Sequence, residues 1–145
     1  MLFADDYNHI LKHDFMSFIE RSFYELNPQT PFLGAPYIEL MASKLEACRY
    51  GRTKRLIINL PPRQLKSHSA SIAFVAWLLG HDPTMHVICA SYGQDLADKL
   101  ARDCRNIMNA TWYRELFRTR LSERKAVNDF TTTASWPSTC PTRSS

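Results

Sequence analysis

The five residues Leu56-Ile57-Ile58-Asn59-Leu60, stopped by Pro61-Pro62 and followed from Lys66 by a helical repeat, constrain the fold more than any other stretch of the chain. The run is too short for a stable helix and apolar on both faces, which suits a buried parallel strand. From Lys66 to Leu79, the positions Ile72, Val75, Ala76 and Leu79 share one side of a helix, and Gly80 stands where a residue just past a helix end is expected. His86 to Ser91 reads as a second buried strand. After Tyr92-Gly93 comes a further helix, with Leu96, Leu100, Cys104 and Ile107 inward and Asp95–Lys99 and Asp98–Arg102 as ion pairs outward. Strand, helix, strand, helix in this order predicts an α/β fold with a parallel sheet and a right-handed crossover.

Two helices precede this unit. Leu11, Phe15, Phe18, Ile19, Phe23 and Leu26 step by three and four until Asn27-Pro28 ends the pattern, and Ile38, Met41, Leu45 and Cys48 form a second set ending near Gly51. A basic turn, Arg52 to Arg55, leads into the first strand. Downstream, a short helix is expected around Trp112 to Phe117, a basic polar stretch to Lys125 and a further strand within Ala126 to Thr133. From Ala134 the serine-, threonine- and proline-rich end reads as a disordered tail, leaving one domain over 1–133.

With 45% hydrophobic and 12% aromatic residues in 145, the chain has the means to build a core and is not of the disordered class. Its net charge of +4 is compatible with a polyanionic partner without requiring one. The four cysteines lack metal-site spacing, which points to a reducing compartment. The N-terminus carries acids where a signal peptide has basic residues, and no apolar run approaches the ~18 residues of a membrane span, so a soluble cytoplasmic protein without membrane contact is expected. His9 and His13 lie four apart on a helix, but no third ligand accompanies them.

Between strand and helix, the sequence Pro62-Arg63-Gln64-Leu65-Lys66-Ser67 occupies the place of a phosphate-binding loop. Such a loop needs a buried strand, a turn exposing backbone N–H groups, and a helix opening with Lys-Ser or Lys-Thr. Lys66 would reach terminal phosphates, Ser67 would offer its hydroxyl to Mg2+, and the helix dipole would favour the anion. Against this, Leu60 and Leu65 hold the positions where the generic pattern has glycine. A left-handed backbone at Leu65 would cost ~1 to 2 kcal/mol. On spacing alone, the alternative of a proline turn with a surface lysine beside a crossover helix stays open.

Three blocks, "RLIINLPPRQLKSHSASIAFVAWLLGHDP", "HVICASYGQDLADKLARDCRNIM" and "LFRTRLSERKAVNDFTTTA", together with the upstream "FIERSFYELNPQTPF", resemble the N-terminal ATPase region of the large terminase subunit of tailed bacteriophages and prophages. The resemblance runs from about Phe15 to Ala134. It implies an ATP-driven motor that packages double-stranded viral DNA in a bacterial host, acting with a small terminase subunit and a portal protein. It also implies a P-loop NTPase-like three-layer parallel-sheet fold, here incomplete. In that family the loop often reads P-P-R-x-x-K-S. Residues Pro62 to Ser67 would then form the ATP-binding loop of Walker A type, with Lys66 on the phosphates, Ser67 on Mg2+, and Arg63 in a catalytic role near the γ-phosphate, where a planar guanidinium suits developing charge. Tyr37, where relatives often carry histidine, would stack on adenine or simply pack. Arg114, Arg118, Arg120, Arg124 and Lys125 would face either DNA or solvent.

ATP hydrolysis also requires carboxylates that hold the metal and orient water. In this family they follow a second apolar strand, and no acid after Lys66 follows such a run. The expectation is a truncated remnant, inactive alone, without the acidic strand and the nuclease domain. A non-enzymatic nucleotide- or DNA-binding remnant and an unrelated small nucleotide-dependent transferase are the alternatives.

Overall fold

The structure, a computed structural model, describes residues 2–121 and 132–133, with side chains described over 5–121. Helix α1 (Leu2–His13) and helix α2 (Phe15–Leu26) divide what reads in sequence as one apolar stripe. The divider is Asp14. Its backbone leaves the helical region (φ −109°, ψ 108°) and its carboxylate accepts from Ser17 N at 2.9 Å and from the Ser17 hydroxyl. An aspartate in this role satisfies one of the orphan donors at a helix start, so the chain restarts in a new direction. Phe15 N, the next donor, is taken by Glu46 Oε1 at 2.9 Å from helix α3 (Pro36–Arg49), which ties the two helices together.

Helix α3 opens with proline at its first position and closes on Gly51, whose φ of +71° turns the chain back so that Arg52 N and Thr53 N both bond Ala47 O, at 2.9 and 3.1 Å. After an extended stretch and the loop at 61–65, helical geometry resumes at Lys66 and Ser67. It continues through a π-helical turn (His68–Ala73) into helix α4 (Phe74–His81). Helix α5 (Gln94–Asn109) and the short helix α6 (Thr111–Leu116) complete the helical set.

The core is aromatic and lies where α2, α4, α5 and α6 meet. Phe15, Phe18, Trp77 and Tyr113 are fully buried. Phe15 packs on Trp77 at 4.9 Å and edge-on to Phe74 at 5.5 Å, while Phe18 meets Tyr113 and Phe117, each at 6.3 Å between ring centres. Tyr113 donates its hydroxyl to Ala76 O at 2.8 Å, and Thr119 donates to Leu79 O at 2.9 Å, so the chain after α6 is fastened to α4. Burial pushes the Tyr113 phenol far above its ordinary value, which keeps it a neutral donor.

The expected three-layer α/β fold is not the one adopted. The described residues are mostly helical, and their one ladder is a two-residue antiparallel pair, β1 (Arg120–Leu121) with β2 (Thr132–Thr133). Residues 56–60 and 86–91 are not paired as strands, and neither stretch forms a main-chain hydrogen bond to another main-chain group among the described residues. Their apolar, β-branched character is real, but a strand exists only when a second backbone accepts its bonds. The consequence is visible in Ile57 and Ile88, which are 94% and 93% exposed instead of buried.

Smaller expectations also need revision. Gly80 lies inside α4 instead of beyond it, and what it provides is space: a Cβ there would sit 2.6 to 2.8 Å from ring atoms of Phe117. Leu96 is exposed, and the two ion pairs drawn on α5 are not formed; Asp98 accepts from Gln94 Nε2 at 2.8 Å. Of the strand expected within 126–133, only Thr132–Thr133 falls among the described residues, and the tail from 134 lies outside them. No helix of the described residues is long and apolar enough to cross a membrane.

Candidate phosphate-binding loop

Two residues of the loop have an uncommon backbone. Arg63 and Leu65 both adopt left-handed backbone, φ 65° and 55°, and they are the two non-glycine residues with positive φ among those described. Gln64 between them does not. The sign of φ thus changes from Arg63 to Gln64 and again to Leu65; a right-handed residue beside a left-handed one gathers successive N–H groups onto one concave side, the arrangement called a nest, which attracts anions. Each left-handed non-glycine residue carries a cost on the order of 1 to 2 kcal/mol, and such strain collects at functional loops.

Leu65 explains how the strain is held. Its side chain packs against the core, and its carbonyl accepts the first bond of the following helix, from Ser69 N at 2.8 Å. The N–H groups of Ser67 and His68, the two residues before Ser69, bond no main-chain carbonyl among the described residues. Lys66 is half-buried and folds back so that Nζ donates to Leu60 O at 3.4 Å, spanning the mouth of the loop. Arg63 is exposed at the apex and Ser67 is exposed at the helix start. Pro62 is exposed and Gln64 half-buried, so the predicted cluster 62–67 is brought together as one turn.

Behind the loop the helix is anchored by polar contacts that sequence spacing gives no sign of. His68 is buried, with Nε2 3.1 Å from Ser22 Oγ and 3.4 Å from Ile19 O on α2. Ser22 Oγ donates in turn to Ile19 O at 2.8 Å. Burial lowers the His68 pKa, with the Ile19 carbonyl pulling the other way, so the ring is held neutral. Beyond it, the π-helical turn leaves Ser69 Oγ buried without a partner. Turns of this kind appear mostly where function imposes a local cost.

For a polyphosphate the donor set fits: one ammonium at the mouth, one guanidinium at the apex, and N–H groups at a helix start. For a divalent cation the loop contributes the Ser67 hydroxyl, and no group of three or more His, Cys, Asp or Glu that could hold a metal occurs among the described residues.

The other candidates are scattered. Tyr37 is half-buried and packs on the core. The rings of His9 and His13 lie 4.4 Å apart, without a third ligand among the described residues. Arg114 and Arg118 are exposed, whereas Arg120 is engaged by the chain itself, donating to Phe117 O at 2.7 Å, Thr119 O at 3.0 Å and Arg114 O at 3.0 Å. Arg124 and Lys125 lie outside the described residues. Compared with protein-family models, with curated proteins and with solved structures, the chain matches none.

Proposed function

We propose that this chain is part of the ATP-driven machinery that packages double-stranded viral DNA, as a portion of a large terminase subunit, and that residues 62–67 receive the phosphates of ATP. The observation that carries the reading is the left-handed backbone at Arg63 and Leu65, set directly before a helix that opens with Lys66 and Ser67. A proline turn with an incidental lysine has no need of two strained residues in three. The reading rests on this loop and on the sequence blocks around it, and it does not invoke a sheet.

Within the reading each side chain has a part. Lys66 exchanges the Leu60 carbonyl for a phosphate oxygen, a stronger acceptor for an ammonium. Arg63 approaches the outermost phosphate from the apex, and Ser67 offers its hydroxyl to Mg2+, which when bound offsets the negative charge of the phosphate oxygens. The proposal concerns binding by these residues.

Calorimetric titration of the purified chain with ATP and Mg2+ tests it. A saturable signal that Lys66→Ala removes is the expected result. Absence of binding by the parent chain, or equal binding by the variant, would overturn the reading.

A further inference from the structure

A second cationic surface lies at the far end of the same helix. Trp77 is eleven residues past Lys66 (77 − 66), about 16 Å along a helix. Over its ring sits the guanidinium of Arg49, 4.7 Å from the ring centre. Arg49 also lies 4.8 Å from the ring of Tyr50, and Arg52 lies 5.2 Å from the same ring. Tyr50 is nevertheless 52% exposed. Lys54 and Arg55, the next two cations, are exposed.

This array is held in place. The paired bonds from Arg52 N and Thr53 N to Ala47 O, with Gly51 at φ +71°, fix the turn that presents it. The end of α1 joins it from the side, because His81 Nε2 donates to Lys12 O at 2.9 Å. The field is positive enough to act on His81: after burial, the charges of Arg49, Lys12 and His13 help bring its pKa down to about 4. Among the described residues, no carboxylate pairs with the array. The neighbouring acids are engaged elsewhere, Glu46 with Phe15 N, Asp14 with Ser17, and Asp82 with Thr84. None lies within ion-pair distance of Arg49, Arg52, Lys54 or Arg55 among the described residues.

We infer that Arg49, Tyr50, Arg52, Lys54 and Arg55, with Lys12 beside them, form a docking surface for a single-stranded nucleic-acid backbone, separate from the phosphate-binding loop. Cations in a row contact successive phosphates, and a base stacks on the exposed Tyr50 ring by displacing the Arg52 guanidinium that lies over it, which then turns to the phosphates. A membrane surface would call for a broad apolar face beside the charges; Ile57, two residues past Arg55, is exposed there, and the vesicle arm of the test below separates the two occupants.

Fluorescence anisotropy of a labelled oligonucleotide of about 20 nucleotides with the full chain tests this, titrated between about 50 and 200 mM salt. The exposed triple change Arg52→Glu, Lys54→Glu, Arg55→Glu is expected to weaken binding at least about tenfold at 100 mM salt and to flatten the salt slope by about 2, from roughly 0.7 per lost phosphate contact. Tyr50→Leu, which keeps the charge, is expected to weaken binding roughly fivefold or more. Circular dichroism verifies that each variant is folded, and Arg55→Glu alone provides a milder change of the same sign. Unchanged affinity and slope in the triple variant would overturn the inference, as would a parent chain that binds phosphatidylserine-containing vesicles and leaves the oligonucleotide free. No ATP enters these titrations, so an inert loop leaves their result standing.

Discussion

Replacing Arg63 by glycine and, separately, by alanine puts the loop geometry to a quantitative test. The Arg63 side chain is exposed and makes no hydrogen bond or ion pair among the described residues, so removing it deletes no contact. At an ordinary position alanine is the more stable of the two by about 0.4 to 1 kcal/mol, because glycine has more freedom to lose. At φ 65° the order reverses, since alanine carries the left-handed penalty of about 1 to 2 kcal/mol and glycine does not. The two effects leave Arg63→Gly ahead of Arg63→Ala by roughly 0.5 to 1 kcal/mol, about 2 °C in Tm for a chain of this length. Urea unfolding of both variants measures the difference. The same pair at Gln64, whose φ is not positive, is expected to show the ordinary order, alanine ahead of glycine. If Arg63→Ala equals or exceeds Arg63→Gly, the loop is not left-handed there and the nest is lost with it.

Three further outcomes are expected. Gly80→Ala gains about 1 kcal/mol of helix propensity but drives a methyl into the Phe117 ring, an overpacking cost of about 1 to 3 kcal/mol, so the urea midpoint falls; Phe117→Leu in that background recovers part of it. His68 and His81 both have lowered pKa values, His81 to about 4. The unfolded chain therefore binds protons that the folded chain refuses, and stability is complete above pH 6.5 and declines as pH falls toward 4, which thermal unfolding at several pH values reads directly. Cys104 is buried with its thiol pushed up to about 12, so iodoacetamide at pH 8 labels it only in urea, while Cys89, whose thiol is also raised by desolvation but which is exposed, reacts slowly in the folded chain.

What could be read from sequence follows from which interactions are local. Ile72, Val75, Ala76 and Leu79 announce a helix because 3.6-residue spacing places them on one face whatever surrounds them, and all four are buried. The split at Asp14 was not legible from the apolar stripe, since Leu11, Phe15 and Phe18 keep their spacing across it; the capping aspartate was the available signal. Residues 56–60 and 86–91 carry strand-like composition, but pairing depends on a distant backbone, and that partner is not encoded in the run itself. Lys66 and Ser67 were legible as the opening of a helix. The Leu60 carbonyl under Lys66, the His68–Ser22 contact 46 positions apart, and the π-helical turn were not, because each is made by tertiary contact and leaves no spacing to recognise. Gly80 shows the same limit from the other side: its position near a helix end was visible, and its reason, the ring of Phe117, was not.

The central claim is that the backbone of residues 63–67 and the Lys66 ammonium receive phosphate. Amide proton–nitrogen NMR spectra of the uniformly labelled chain, recorded with and without ATP and Mg2+, address those groups atom by atom. The account predicts saturable shifts of the Gln64 to His68 amides, reproduced in part by inorganic triphosphate and lost in Lys66→Ala. Shifts confined to residues away from the loop, or spectra that do not change at saturating ATP, would contradict it.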